Sequence, residues 1–477
     1  MQGAGPQGWR CFSFTRMLFM KPSFSHPTAG KAGTPAALTL AMALTLAAWS
    51  VPTWAQSAVA SAPETLAPAV ETAYGRLMAA PRITRLMDAV KADHERSIED
   101  LRMLTEIEAP PFKEQARAQA FLQRLQALGL REARIDAEGN VVGIRKGTGQ
   151  GPKLVISAHL DTVFPAGTDV KVKERDGKLF APGISDNTRG LAVLLSWLKV
   201  LNDEQIQTVG DLVFVANVGE EELGNLRGMK HLFAEHRDID GMVGLEPAAD
   251  GNVLVLGTGS HRYEVTFKGP GGHSYAAFGR VPSAIHGMGR AIAKIGDIQT
   301  PSYPKTTFTV GTVGGGTSVN TIAPDARMAV DIRSDAMEPL LETEKKILAA
   351  IDEAVVEENK RWGVESLSVS RKLIGDRPGG QTASDAIIVQ AAVRANRAFG
   401  RKTFLGGAST DANVPMALGI PAIIVGGGGT TGGFHALSEW IDLTDAWKGA
   451  QTSLMTVLGL VGVQGVSQPL LDKRKPR

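Results

Sequence analysis

The chain has 477 residues, more than one small hydrophobic core can organise, so two domains are expected. Its 43% hydrophobic and 21% charged residues are typical of a soluble globular protein. The formal net charge is +2, and no basic stripe or charge block is present, which argues against nucleic acid as a partner.

Residues 1–55 predict an export signal. Four basic residues and no acidic residue lie in this segment, with an apolar run from Ala36 to Trp49 and a signal-peptidase-like site at Thr53-Trp54-Ala55. The apolar run is shorter than the ~20 residues that a membrane-spanning helix needs. We therefore expect no stable membrane anchor after cleavage; an uncleaved anchor is the alternative.

The only cysteine, Cys11, lies inside this predicted signal. The mature protein is then expected to contain no thiol and no disulfide, so histidines and carboxylates must hold any bound metal. Export without cysteines favours a bacterial periplasm over a disulfide-rich extracellular module. Because the basic region is long for a signal, Met17 or Met20 could be the true start.

The central part of the sequence predicts an α/β sheet. Residues 56–82 are rich in Ala, Pro, Ser and Thr, which is typical of a linker. A helical pattern, broken at Pro110-Pro111, then runs to Leu128. Buried strands alternating with helices follow, and this alternation favours an α/β sheet. The strands are Leu154–Ser157, Asp211–Val218 and Gly241–Leu245, and an apolar helix spans Leu191–Leu201.

The pattern changes after Thr258 and predicts a small inserted α+β domain. Its predicted order is strand, helix, two strands, helix and strand: Arg262–Lys268, Pro282–Ile295, Thr306–Val313, Ala326–Ile332, Leu340–Glu358 and Ser366–Arg371. The α/β pattern returns with a helix at Ala383–Phe399 and a strand at Ala422–Val425. We therefore predict a catalytic domain of residues 83–258 and 375–465, an inserted domain of residues 259–374 and a tail of residues 466–477.

His159 is the first candidate functional residue. It ends a predicted buried strand in VISAHLDTVFP, and Asp161 follows two residues later. Open α/β sheets bind ligands at the carboxyl edge of their strands. A carboxylate beside a metal-bound imidazole can fix its tautomer.

Further candidate ligands follow other elements of the same sheet. Asp186 lies in a Gly-rich turn, where a helix N-cap is the simpler explanation. Glu220, Glu221 and Glu222 follow a strand, where a solvated loop is the simpler explanation. Glu246 ends a third strand, and His435 follows a fourth. Two histidines and several acids at one sheet edge predict a metal site. Oxygen and imidazole donors without sulfur suit Zn²⁺, with Mn²⁺ and Co²⁺ as substitutes.

Seven segments together resemble the motifs of a known family of dizinc peptidases, over about residues 95–460. That family includes glutamate carboxypeptidase, peptidase T, aminoacylase, acetylornithine deacetylase and succinyl-diaminopimelate desuccinylase. The segments occur in the family's order: HLDTVFP, GISDNTRG, VGEEELGNLRG, GLEP, GPGGHS, GGTSVNTIAPDARMAVDIR and GGFHALSEW.

The resemblance implies two Zn²⁺ ions per chain. Asp186 would bridge them, His159 and Glu246 would complete one, and Glu221 and His435 the other. Glu220 would be the general base, Asp161 would orient His159, and the Asp186–Asn187 peptide is often cis in the family. The acid pair could instead be Glu221 and Glu222, but the family's form fits Glu220 and Glu221 better.

The inserted domain resembles the family's dimerisation or lid domain. This implies a homodimer in which His273 reaches the partner's site and stabilises the oxyanion. Asn320 and Arg333 match substrate-binding positions, and a bidentate arginine–carboxylate contact gives a physical reason for the second. The simpler explanations are a turn histidine, a strand-end amide and an edge charge.

We therefore expect a two-domain hydrolase that cuts a peptide or N-acyl amino-acid bond and binds the free C-terminal carboxylate of its substrate. Glu246 supports this expectation, because relatives that are aminopeptidases often have Asp there. Aminopeptidase activity of the peptidase T type is one alternative, with loop acids such as Asp411 binding the α-ammonium. An inactive periplasmic peptide-binding protein is another, although it would have no use for an unligated Glu220.

Overall fold

The computed structural model describes residues 61–475. The predicted signal at residues 1–55 and the first residues of the predicted linker lie outside this part. Among the described residues, no helix combines the length and the hydrophobicity needed to cross a bilayer.

The described part of the chain contains helices throughout and strands from residue 134 onward. The helices are α1 (Pro68–Ala79), α2 (Pro81–Ala92), α3 (His94–Thr105), α4 (Gln115–Ala127), α5 (Arg189–Asp203), α6 (Arg227–Glu235), α7 (Ala284–Gly296), α8 (Met337–Trp362), α9 (Ile387–Ala398), α10 (Asn413–Ala417) and α11 (Trp447–Val461). The strands are β1 (Arg134–Ile135), β2 (Val141–Arg145), β3 (Lys153–His159), β4 (Lys173–Arg175), β5 (Lys178–Phe180), β6 (Asp211–Asn217), β7 (Gly241–Glu246), β8 (Asn252–Gly257), β9 (Gly259–Lys268), β10 (Gly272–His273), β11 (Thr306–Gly315), β12 (Thr321–Ile322), β13 (Asp325–Ser334), β14 (Ser368–Arg377), β15 (Gly380–Gln381), β16 (Phe404–Ala408), β17 (Ala422–Gly426), β18 (Thr430–Gly432) and β19 (Trp440–Asp442).

The largest sheet has the strand order β1-β2-β6-β3-β7-β17-β8-β15, and β16 also pairs with β8. The central strands β6, β3, β7 and β17 run parallel. Helices α5, α9 and α11 share one hydrophobic cluster on one face, and α6 belongs to a cluster on the other. Covering both faces explains why these strands are almost continuously apolar. Their carboxyl ends meet at one edge, where the candidate ligands lie.

The predicted α+β domain is confirmed as a separate antiparallel sheet of order β11-β13-β9-β14. Helices α7 and α8 share one hydrophobic cluster with this sheet. The predicted boundary at residue 374 is wrong, because β14 continues to Arg377. The pairing of β14 with β9 shifts between Leu373 and Gly375, and this irregularity interrupts the alternation from which the strand end was predicted.

The prediction of a linker over residues 56–82 is wrong for its described part, because helix α1 and the start of α2 lie there. Each helix begins with proline, which is favoured at the first helical position. Val70, Ala73, Tyr74 and Leu77 recur at helical spacing and are buried. The Tyr74 hydroxyl donates to the Ala391 backbone oxygen in α9 over 2.8 Å, and the Met455 backbone oxygen in α11 lies 3.3 Å away. Because Ala and Pro are also common in linkers, the composition of this segment did not predict the helices.

The predicted tail is also packed over its described residues. Leu471 is buried, and the amides of Leu470 and Leu471 donate to the carbonyls of Gly459 and Leu460 in α11. Too few apolar residues follow Gly465 to form a pattern, so the sequence does not predict that the tail packs against α11.

Candidate metal centre

The carboxyl edge of the large sheet brings the predicted ligands together. His159 is the last residue of β3, and Glu246 is the last residue of β7. Glu220 and Glu221 follow the end of β6, and His435 lies between β18 and β19. Neighbouring parallel strands end at the same level, so residues distant in sequence converge here.

His159 is buried and faces two carboxylates. Its Nε2 lies 3.0 Å from Asp186 Oδ1 and 3.7 Å from Glu246 Oε2. Its Nδ1 lies 2.9 Å from the backbone oxygen of Asp161 and 3.7 Å from Asp161 Oδ1. The backbone carbonyl of Asp161 is therefore the nearer partner of the ring, and the predicted role of its carboxylate stays a prediction.

The carboxylate of Asp161 accepts two backbone hydrogen bonds at the end of β6. Glu220 N donates to Oδ1 over 3.1 Å, and Glu221 N donates to Oδ2 over 2.8 Å. Asp161 is completely buried. It therefore connects the His159 segment to the segment that carries the two glutamates.

Asp186 lies between the two histidines. Its Oδ2 is 3.3 Å from His435 Nε2, which is also 3.3 Å from Glu221 Oε1. One ligand atom each from His159, Asp186 and Glu221 lies within 4.8 Å of the others. All five predicted ligands are thus close neighbours, and Asp186 presents one oxygen to each imidazole.

The protonation behaviour of these groups reflects their crowding. Burial raises the pKa of Glu246 to about 8. Hydrogen bonds to Asp186 and Glu221 raise the pKa of His435 to about 10. Buried carboxylates at close range destabilise one another unless cations balance them. The oxygen and imidazole donors therefore fit one or more divalent cations.

The three consecutive glutamates differ in environment. Glu220 and Glu221 are buried, whereas Glu222 is exposed and has φ of 45°. Only Glu221 of the three has a recorded contact with His435. Glu222 also lines the cavity, but its exposure and its lack of contact with His435 favour the pair Glu220 and Glu221.

Glu220 is paired with Arg377, which the sequence did not single out. Arg377 Nη1 lies 3.1 Å from Glu220 Oε1, and Nη2 donates to the Glu220 backbone oxygen. Burial raises the pKa of Glu220 well above its usual range, and the charge of Arg377 opposes this rise. Arg377 is the last residue of β14, so the inserted domain reaches the carboxyl edge of the large sheet.

Glu439 fixes the loop of residues 183–188 that carries Asp186. Its carboxylate accepts hydrogen bonds from Gly183 N, Ser185 N, Ser185 Oγ and Asp186 N, over 2.7 to 3.0 Å. The peptide after Asp186 is cis, as the resemblance implied. The sequence analysis did not assign a role to Glu439, which lies four residues after His435 in the segment GGFHALSEW.

Two buried arginines, also unrecognised in the sequence, support neighbouring loops. Arg117 donates to the backbone oxygens of Leu160 and Ile107 over 2.8 and 2.6 Å. Arg189 donates to the backbone oxygen of Gly427 over 3.0 Å. Each guanidinium satisfies carbonyl groups that irregular backbone would otherwise leave buried without a partner.

The cluster opens into a cavity of about 1310 Å³. Predicted site residues in its lining are Asp186, Glu220, Glu221, Glu246, Arg333 and His435. His273 and Asn320 are not among the lining residues. They lie side by side at the small two-stranded β10–β12 sheet of the inserted domain, where Ser274 N donates to the Asn320 backbone oxygen over 2.9 Å.

Asp411 is also outside the cavity lining, although it lies near the cluster. It is buried, and its Oδ2 accepts a hydrogen bond from Asn217 Nδ2 over 2.7 Å. Burial raises its pKa to about 6. This position does not suit the contact with a substrate α-ammonium that we considered from the sequence.

The chain matches one family model and is similar to several known proteins. The model of "Peptidase family M20/M25/M40" matches residues 155–458. Uncharacterized protein YqjE of Bacillus subtilis is 29% identical over 301 residues, which cover 60% of this chain and 75% of that protein. Carboxypeptidase G2 of a Pseudomonas species is 30% identical over 226 residues, 44% of this chain and 54% of that enzyme. The crystal structure of a tripeptidase from Staphylococcus aureus has a TM-score of 0.64 at 23% identity, covering 77% of this chain and 98% of its own.

The contacts of Glu439 generate a prediction about metal affinity. Glu439→Gln keeps the shape of the side chain but removes its charge and turns one acceptor into a donor facing backbone amides. Replacing partners that orient ligands typically weakens metal binding ~10–100-fold, and we expect a loss in that range for Zn²⁺, measured by competition with a chromophoric chelator. Glu365→Gln, at an exposed glutamate of the inserted domain, is the control. Equal affinity in both variants would show that Glu439 does not position Asp186.

Proposed function

Because the chain belongs to peptidase family M20/M25/M40, we propose that it is a zinc-dependent hydrolase of peptide or N-acyl amino-acid bonds. The observation that carries this proposal is the position of Asp186, with one carboxylate oxygen facing each of two histidines. A carboxylate so placed can be shared by two cations. Members of the family act on peptide or amide bonds.

We assign five residues as ligands of two divalent ions. Asp186 would be shared; the others are His159 and Glu246 for one ion, and Glu221 and His435 for the other. Imidazole and carboxylate donors suit Zn²⁺, with Co²⁺ or Mn²⁺ as substitutes. When bound, two such ions lower the pKa of a water molecule and polarise a carbonyl group.

Glu220 is the proposed general base. It lines the cavity, and its recorded side-chain partner is Arg377 rather than either histidine. A carboxylate with a raised pKa can take a proton from the attacking water and transfer it to the leaving amine as the C–N bond breaks. A protein that only binds peptides would not need such a group, which disfavours the non-enzymatic alternative.

We propose that Arg333 binds a carboxylate of the substrate. Its Nε donates to Asp331 over 2.7 Å, and its side chain lines the cavity. Guanidinium groups bind carboxylates strongly. Asp411, the acid considered for binding an α-ammonium, is hydrogen-bonded to Asn217 and does not line the cavity. We therefore favour substrates with a free carboxylate over the aminopeptidase alternative.

We also propose that the active form is a homodimer in which the β10–β12 sheet supplies His273 and Asn320 to the partner's cavity. This small sheet and its adjoining loops are largely exposed and do not line the cavity of their own chain. Nδ1 of His273 accepts backbone N–H groups of Tyr275 and Ala276. The neutral ring then carries its proton on Nε2, which suits donation to a developing oxyanion. The sequence signal for export makes the periplasm the proposed location.

The roles of the adjacent glutamates can be separated by substitution. We expect Glu220→Gln to lower kcat by ~10²–10⁴-fold, the usual contribution of general acid–base catalysis, with metal content nearly unchanged. Glu221→Gln should lose bound metal, because it removes a ligand. Activity assays and elemental analysis of the same preparations measure both effects. Loss of metal in Glu220→Gln but not in Glu221→Gln would show that the assignment is reversed.

The preferred end of the substrate can be tested with a matched pair. We expect hydrolysis of an N-acylated dipeptide with a free carboxylate over a dipeptide amide with a free amine. Arg333→Gln should lower kcat/KM for the first substrate about tenfold or more, since it removes a charge-assisted contact. The control is Arg327→Gln, at an exposed position of the same strand outside the cavity lining. Preference for the amide would instead support the aminopeptidase alternative.

A further inference from the structure

The cavity contains an apolar region that the proposed chemistry does not use. Phe164 lies on the loop after β3, and Phe434 and Leu437 lie on either side of His435. Leu437 is 72% exposed and Phe434 is 43% exposed. Large apolar side chains that remain exposed inside a concave site indicate a surface for an apolar ligand.

The inserted domain gives another part of the same cavity the opposite character. Arg262, Arg333 and Arg377 reach the lining from strands β9, β13 and β14. Asp331 accepts hydrogen bonds from Arg262 over 2.9 Å and from Arg333 over 2.7 Å. The three guanidiniums pair with two carboxylates, those of Asp331 and Glu220, and the exposed carboxylate of Glu222 also lines this part of the cavity.

Three other charged residues of the lining have local partners. Lys448 pairs with Asp445 over 2.6 Å. Asp250 pairs with Arg401 over 2.9 Å. A substrate whose carboxylate binds at the arginines and whose carbonyl lies at the metal centre must direct its acyl half elsewhere. The described lining also contains Pro247 and Leu254, but Phe434 and Leu437 are its exposed large apolar side chains.

The size of the cavity agrees with an extended acyl half. Its volume of about 1310 Å³ exceeds the ~300–1,000 Å³ of most small-molecule sites. A short N-acetyl group would leave Leu437 and Phe434 in contact with water. A longer or aromatic acyl group would cover them and remove apolar surface from water.

We propose that Phe434 and Leu437, on either side of His435, form an acyl subsite that selects substrates with a bulky apolar group on the carbonyl side of the scissile bond. This inference rests on the proposed amidohydrolase function and names its substrate class. An N-acyl amino acid with a medium-length or aromatic acyl group, or a peptide with an apolar residue at that position, fits this description.

The test compares acyl groups on one amino acid. The amino acid is the one best accepted as its N-acetyl derivative, and kcat/KM is measured for its N-acetyl, N-hexanoyl and N-benzoyl forms. We expect the hexanoyl and benzoyl forms to be at least about tenfold better, since one methylene in an apolar pocket changes specificity ~10–200-fold.

Variants at position 437 assign this preference to the subsite. Leu437→Asn, which has similar volume but is polar, should lower kcat/KM for the hexanoyl form about tenfold and for the acetyl form less than about twofold. Leu437→Phe should retain the preference for long acyl groups. Leu341→Asn, at an exposed leucine on α8, is the control and should leave all rates unchanged.

Three outcomes would overturn the acyl subsite. Equal losses for acetyl and hexanoyl substrates in Leu437→Asn would mean that Leu437 only supports the loop of His435. Conversion of a dimer into monomers by Leu437→Asn, measured by analytical ultracentrifugation, would mean that a second copy covers these residues. Wild-type hydrolysis that is independent of the acyl group would refute the subsite alone. Failure to hydrolyse any N-acyl amino acid or peptide would instead refute the proposed function.

Discussion

The carboxylate of Asp186 lies between His159, at the end of β3, and His435, which is far along the chain. The rest of the site depends on keeping it there. Glu439 accepts hydrogen bonds from the backbone of the Asp186 loop, and Asn187 Nδ2 donates to the Leu245 backbone oxygen over 2.6 Å. Because Leu245 precedes Glu246, the same loop is attached to the strand that carries another proposed ligand.

Concentrating carboxylates in this way opposes folding unless a cation balances them. Glu221 and Glu246 lie close to Asp186, in a region where burial raises the pKa of Glu246 and Asp411. Arg377 offsets part of the negative charge, and it comes from the last strand of the inserted domain. The inserted domain thus contributes to the electrostatics of the centre, besides presenting Arg262 and Arg333 to the cavity.

Structural features that depend on a local sequence pattern could be predicted from the sequence. Alternating buried strands and helices predicted the large sheet, and the βαββαβ order of the inserted domain was confirmed. Residues at strand ends, such as His159 and Glu246, were found because parallel strands share an edge. Features that depend on distant partners were missed. Glu439 bonds to Ser185 across 254 residues, and Arg377 bonds to Glu220 across 157. Helix α1 was missed because Ala and Pro are also typical of linkers.

We propose that this edge of the sheet holds two divalent ions, with Asp186 shared between them. Elemental analysis of the purified chain, combined with its mass under native conditions, measures this most directly. We expect about two divalent ions per chain, chiefly zinc, and loss of activity when a chelator removes them. A chain without bound metal, whose activity a chelator leaves untouched, would contradict it.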